Sequence, residues 1–315
     1  MKRNSQGSAP RRAASRARPR ADAGWKLVWS DEFDGDTIDT SKWDFDLGNG
    51  FYDYRNNAWV PGWGNEELQY YTRDPANVSV RDSLLYIRAL KESLHGCGYT
   101  SARLKTRRRD GTPLFTRKYG KFEFRARVPY GKGMWPALWM LPQDDAYGPW
   151  AASGEIDVLE IVGEKPREYL GTLHFGSTFP KRELVTHVRK FPGGSTVGDW
   201  HVYAVEWEPG EIRWLVDGET WATQTFWHSC SKRRAGKGLA PRSEADLNRW
   251  PAPFDQPFYI VMNIAVGGNF PGAPNAQTQF PAELVVDYVR VYDRVGGYGR
   301  PKPRGKGRLP YQKKR

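Results

Sequence analysis

The chain has 315 residues and a formal charge of +12, and it carries 14 Trp, 16 Tyr and 14 Phe. That length and aromatic content suffice for one large all-β domain or for two ordinary domains. No run of eighteen apolar residues occurs and no apolar stretch follows the basic start, so the sequence in hand predicts neither a membrane span nor a secretory signal.

The charge is uneven. Residues 1–24 carry seven Lys/Arg and one acid, and residues 294–315 carry nine Lys/Arg and no acid, which leaves 25–293 mildly acidic. Both tails are rich in Pro, Gly and Ala and lack apolar periodicity. Each is expected to be a disordered arm, either contacting an anionic polymer or surface or simply solvated, and dispensable for catalysis. Two cysteines, Cys97 and Cys230, exclude a cysteine-based zinc site and allow one disulfide, which would pin the segment around Cys230 to the body. Asn77-Val78-Ser79 is a glycosylation sequon, relevant only in a secretory pathway.

From Trp25 the sequence turns to strands and turns. WKLVWSDEF (25–33) is a short apolar segment, residues 36–48 are too polar for a core helix, and 49–72 form a long aromatic, Asn- and Gly-rich loop suited to binding. Two strands are predicted in 77–92 around Arg81–Ser83, then strands in 99–108, 118–131 and 134–142. Trp135 and Trp139 share a face of the last of these unless Pro136 bends it, and either line a cleft or pack the core. After a strand at 168–176, residues 199–226 form a meander closed by Pro209-Gly210 and Asp217-Gly218. Residues 228–253 are a basic, irregular insertion, and 256–268 and 282–293 are the last strands. No eleven-residue segment has a helical period, so a sandwich or jelly roll is expected.

The organising stretch is GEIDVLEIVG (154–163), a strand-forming run interrupted by Glu155, Asp157 and Glu160. On a regular strand Glu155 and Asp157 share a face and Glu160 points away. A β-bulge at Val158–Leu159 brings all three together; without it Glu160 is solvated at a sheet edge. Three crowded carboxyls cannot all ionise cheaply, so one pKa rises and a proton donor is available near neutral pH without a metal. A divalent metal on the three acids is the weaker reading, because no histidine or further acid sits at ligand spacing in the sequence.

With these motifs in place the sequence resembles the bacterial-type endo-β-1,3-glucanases (laminarinases) of glycoside hydrolase family 16. The resemblance runs through WKLVWSDEFDG (25–35), GWGNEELQYYT (62–72), YTSARLKT (99–106), 119–142, GEIDVLEIVG, GTLHFG (171–176), 200–218, 253–272 and VDYVRVY (286–292). It covers 25–293 and leaves out both tails, and the insertion departs from it. It implies an all-β, two-sheet jelly-roll sandwich of the concanavalin-like kind with a concave substrate cleft. By the same resemblance Glu155 is the nucleophile, Asp157 the assisting carboxylate and Glu160 the general acid/base. Asn65, Arg103, Trp135, Trp139, His174 and Asn263 line the cleft, although His174 also suits a structural role. No cofactor is required for catalysis; a structural Ca2+ near the termini is implied, with Asp287 and Glu32 as ligands. The expected partner is a β-glucan, bound by a monomer that cleaves β-1,3 or mixed β-1,3/1,4 linkages internally with retention. Two alternatives stand beside it: a β-glucan-binding protein without turnover, and a relative acting on a galactan. Family members are typically secreted, so the lack of a visible signal leaves localisation open.

Overall fold

A computed structural model describes residues 24–54 and 56–312. Nearly all of the basic N-terminal arm expected for 1–24 lies outside the described residues. Two large antiparallel sheets face each other. The first has the strand order Glu219–Gln224, Glu211–Val216, His201–Glu208, Gly120–Arg127, Ala282–Arg294, Leu84–Ala89, Val78–Arg81, with Trp25–Asp31 also pairing Ala282–Arg294. The second runs Arg182–Lys190, Glu168–Gly176, Glu155–Glu160, Met134–Pro142, Phe258–Val266, Arg103–Lys105, Asp44–Asp46. This is the all-β jelly-roll sandwich that the alternation predicts. No helix among the described residues is long and apolar enough to cross a membrane.

Alternation explains the layering. In Gly120–Arg127, Phe122, Phe124 and Ala126 are fully buried, and from the facing sheet Leu104, Leu138, Met140, Ile156, Leu173, Met262 and Ile264 meet them in one core. Side chains two residues apart share a face, so the alternate positions of the second sheet form its open face. Turn chemistry follows the sequence as well. Asp82 and Ser83 both have positive φ, as do Asp217 and Gly218, the two-residue geometry that matches strand twist.

Several expectations need correction. The loop at 49–72 contains a hairpin, Gly50–Asp53 with Ala58–Pro61, and a short strand Gln69–Tyr71. Arg182–Lys190 is a strand that the sequence reading missed; it lies at the edge of its sheet, much of it exposed, and has no apolar alternation to reveal it. The insertion carries a four-residue helix, Lys232–Ala235. Cys97 and Cys230 are both free: Cys97 sits in a turn bonded to Leu94, whereas Cys230 is buried beside Gly176 and Leu247. Asn77 is buried and its amide donates to Thr100 and to the Arg88 carbonyl, which closes the sequon to modification.

The C-terminal tail is not a loose arm over 294–312. The Lys302 N–H donates to the Pro209 carbonyl (2.9 Å), the Trp250 indole N–H to the Lys302 carbonyl (2.7 Å) and the Gly305 N–H to the Thr225 carbonyl (2.7 Å). Leu309 is buried, and Arg304 lies over the Trp250 ring. The segment docks chiefly through its backbone, so its composition gives no sign of the contact. It clasps the insertion to the meander.

Candidate active site

The acidic strand Glu155–Glu160 is bulged. Against Met134–Pro142, Leu138 pairs Leu159 and Trp139 pairs Asp157, which leaves Val158 unmatched; against Glu168–Gly176 the register also shifts between Asp157 and Glu160. Ala137 pairs Glu160 while Trp139 pairs Asp157, so Glu160 is turned onto the face of Asp157 and Glu155. Two features hold the bulge. The Trp214 indole N–H, reaching across from the other sheet, donates to the Asp157 carbonyl at 2.8 Å. Gly171, opposite the bulge, has no side chain, and a Cβ there would lie 2.4 Å from the Trp214 ring. The ring fills the space that any larger residue at 171 would need.

The three carboxyls sit among indole and imidazole groups rather than cations. Glu155 Oε2 accepts from the Trp150 indole N–H at 2.7 Å, and Glu160 Oε1 accepts from the Trp135 indole N–H at 3.1 Å. Among the described residues no lysine or arginine forms an ion pair with any of the three. His174 Nε2 lies 3.6 Å from Glu155 and 3.5 Å from Asp157. Burial pushes the Glu155 carboxyl up from the ordinary 4.5 to about 7. Asp157 is raised well above the usual carboxylate range by burial and by the charges of Glu155 and Glu160, and it shares a hydrogen bond with Glu155. Glu160 is raised, again mainly by burial. Burial lowers His174 to about 4, so the imidazole is neutral through the physiological range. The row therefore holds protons at neutral pH and sets them beside carboxylate oxygens.

Sequence comparison agrees with this geometry. The glycosyl hydrolases family 16 profile matches residues 78–231. The chain is 45% identical over 277 residues to the "Beta-glucanase" of Rhodothermus marinus, spanning 85% of this chain and 85% of that protein. It is also 45% identical over 280 residues to the "Glucan endo-1,3-beta-glucosidase A1" of Niallia circulans, covering 86% of this chain and 38% of that longer protein. The solved laminarinase catalytic domain of Thermotoga maritima superposes with a TM-score of 0.69 at 38% identity, over 86% of this chain and 99% of that one. This chain belongs to glycosyl hydrolase family 16.

The remaining residues predicted to line the cleft of this family 16 chain fall on the same open face, with one exception. Asn263 pairs Ala137 and Arg103, and its carboxamide accepts from the Trp139 indole N–H (2.7 Å) and donates to the Tyr71 hydroxyl (3.0 Å). The Arg103 guanidinium lies 4.7 Å from the ring centroids of both Trp63 and Trp139 and is ion-paired to Asp46 at 3.0 Å. Trp135 packs on Phe270, a half-exposed ring at the rim. The exception is Asn65, which ends a short turn and reaches the site only by donating to Glu67.

Sequence reasoning missed Trp150, Glu67, Tyr71 and Arg182. Glu67 is a buried carboxyl, raised by burial, that accepts from Asn65, Gln69 and Tyr71 and so anchors the chain of bonds leading to Asn263 and Trp139. Only its position in the quoted GWGNEELQYYT run hinted at it. It also missed that strand pairing places His174 directly opposite Glu155, which brings a nitrogen donor to ligand distance of two acids. Glu155, Asp157 and His174 are thus the group that fits a single ion by donor type, their atoms lying within 4.8 Å of one another. The two residues expected to bind calcium do not fit it. Glu32 is held by both guanidinium nitrogens of Arg290 (2.9 Å each), and Asp287 by Arg125 at 2.6 Å. A cation on Glu32 would have to displace Arg290 from both carboxylate oxygens, and one on Asp287 would have to share the carboxylate with Arg125.

Proposed function

We propose that the protein is an endo-acting glycoside hydrolase that cleaves β-1,3-glucan with retention of configuration, with mixed β-1,3/1,4-glucan as a further substrate. The observation that carries this reading is the bulged row of three carboxyls, two buried and one half-buried, that form no ion pair with a lysine or arginine among the described residues, in a family 16 chain. In the mechanism, ionised Glu155 attacks the anomeric carbon, while protonated Glu160 gives its proton to the departing glycosidic oxygen. A glycosyl–enzyme ester on Glu155 results. Glu160, now ionised, takes a proton from water, which attacks the same carbon and releases Glu155. Asp157, hydrogen-bonded to Glu155, fixes that carboxyl and offsets the change in its charge during the two steps. The Trp150 N–H holds the other Glu155 oxygen, and Trp135, Trp139 and Phe270 offer flat apolar surface for sugar rings.

Glycoside transfer of this kind needs no metal, and Glu155 cannot both attack carbon and ligate an ion. The test is release of reducing ends from laminarin with and without a chelator, with product lengths followed over time. Chelator-insensitive release of mixed-length oligosaccharides is expected. Tight laminarin binding without release would favour the carbohydrate-binding alternative, and loss of activity with chelator would favour the metal reading. Cleavage of a galactan in preference to laminarin would overturn the substrate assignment.

A further inference from the structure

Arg182 extends the open face beyond the acidic row. It pairs Gly176, two residues along from His174, and therefore projects on the same side as His174 and Glu155, about 7 Å further along the strand. Its guanidinium lies 5.3 Å from the centroid of the Trp150 ring, the ring that holds Glu155, and its charge is felt at the Glu155 carboxyl. Its Nε–H is shielded from solvent and has no hydrogen-bond partner among the described residues. That is a donor without a protein acceptor among the described residues, on the floor of the substrate face.

Beyond Arg182 the surface stays basic and gains an exposed aromatic ring. Phe179 is 72% exposed and Lys181 follows it. The insertion packs directly behind: the Thr178 hydroxyl donates to the Ala235 carbonyl, and a Cβ on Gly238 would sit 3.6 Å from the Phe179 carbonyl. This contact brings the exposed Lys232, Arg233 and Lys237 to the same shelf. None of these five cations forms an ion pair among the described residues. The acids of the insertion are engaged elsewhere, Asp246 with Arg234 and Glu244 with Arg304. A surface charge run is ordinarily just solvated; this one adjoins an unpaired buried donor and a stacking ring, in line with the catalytic row.

We propose that this shelf is an anion-binding extension of the cleft, and that the preferred substrate is a β-glucan chain bearing acidic substituents, either carboxylates or sulfate esters. Phe179 stacks a sugar ring, Arg182 takes an anionic or hydroxyl oxygen through its fork, and the lysines supply the long-range attraction. The inference rests on the glucanase reading and narrows it to a substrate class.

The experiment compares neutral laminarin with carboxymethylated and with sulfated laminarin of matched length, at low and at high NaCl. At low salt the KM for at least one anionic glucan should lie about tenfold below that for laminarin, and the advantage should vanish at high salt. The two anionic arms tell carboxylate from sulfate recognition. A Lys181→Glu/Lys232→Glu/Lys237→Glu variant should lose the anionic preference, and Arg182→Gln should reduce it; laminarin turnover by the triple variant reports that its fold is intact. Equal or poorer KM values for both anionic glucans at low salt would overturn the proposal, as would a preference that survives the triple substitution. Hydrolysis of none of the three substrates would instead count against the glucanase reading itself.

Discussion

The outer face of the eight-stranded sheet and the open face of the seven-stranded sheet both carry carboxylates, and they treat them in opposite ways. On the outer face each acid has a cation. Arg213 binds Glu206 (2.7 Å), Glu208 (2.6 Å) and Glu211, Lys121 binds Glu123 (3.0 Å), and Arg290 binds Glu32 (2.9 Å). On the open face the Glu155, Asp157 and Glu160 row is given indole N–H groups and a neutral imidazole instead. Both sets are largely removed from water. The first is neutralised by ion-paired cations; the second, without an ion-paired cation, has its carboxyls pushed up by burial so that protons are retained. The chemistry follows from which kind of neutralisation the fold supplies.

The strongest way to break this contrast is to remove the proton-holding carboxyls. Glu155→Ala should lower laminarin hydrolysis on the order of 10⁴-fold or more, and azide with an activated substrate should restore turnover with inverted configuration. Glu160→Ala should cost about 10²- to 10⁴-fold on native glucan and far less with a good leaving group, and its azide product should keep its configuration. Product configurations determined by NMR decide the assignment, and the reverse pattern exchanges the two roles. Asp157→Asn should fall between wild type and these variants.

Stability against pH sharpens the contrast next. The folded chain holds the Glu155 proton up to about pH 7, against an ordinary value of 4.5. Between those values the folded state binds more protons than the unfolded state, so this group makes stability fall as pH rises through that window. Glu155→Gln should therefore be more stable than wild type at pH 8, by about 3 kcal/mol, with the gap closing towards pH 4.5. Thermal unfolding of both proteins across pH 4.5–8 measures it; a gap independent of pH would contradict the burial argument. The outer face should respond oppositely. Arg213→Ala leaves three partly buried acids without their shared cation and should cost about 2 kcal/mol in denaturant unfolding, with kcat on laminarin unchanged.

The smallest effect concerns a single hydrogen bond. The Trp150 N–H favours ionised Glu155. Trp150→Phe keeps an aromatic ring but removes that donor, so the acid limb of the kcat/KM profile should move to higher pH by up to about one unit. An unmoved limb would mean that Trp150 serves packing alone.

What could be read from the sequence tracks the range over which each feature is encoded. The odd offset from Asp157 to Glu160 lies within four residues, and it demanded a bulge that the strand registers contain. Alternation likewise marked the core strands, because each records its own burial. The partners that hold the bulge, Gly171 and Trp214, were invisible, since the strand pairing and sheet stacking that join them to Asp157 are nonlocal. His174 and Arg182 illustrate the same limit. Each gains its meaning from a neighbour across a ladder, and the strand beginning at Arg182 has no apolar period of its own. Glu32 and Asp287 show the same limit: the sequence shows acids, but not the arginines that the folded sheet sets against them.

The C-terminal segment has a consequence for how such sequences evolve. Beside the side-chain contacts of Lys302 with Glu211 and of Arg304 with Trp250 and Glu244, its anchors are main-chain groups at 302 and 305 and two tightly packed glycines: a Cβ on Gly305 would lie 2.3 Å from the Thr225 hydroxyl, and one on Gly307 would lie 2.3 Å from the Phe226 ring. Lys306 and Arg308, the residues that follow these glycines, are exposed. The repeat-like Gly-Lys-Gly-Arg pattern is therefore a spacing rule, with glycines as the teeth and the intervening side chains left to drift. Selection can recharge positions 306 and 308, from basic to acidic or neutral, while the insertion beneath the tail stays clasped, provided the teeth remain two residues apart.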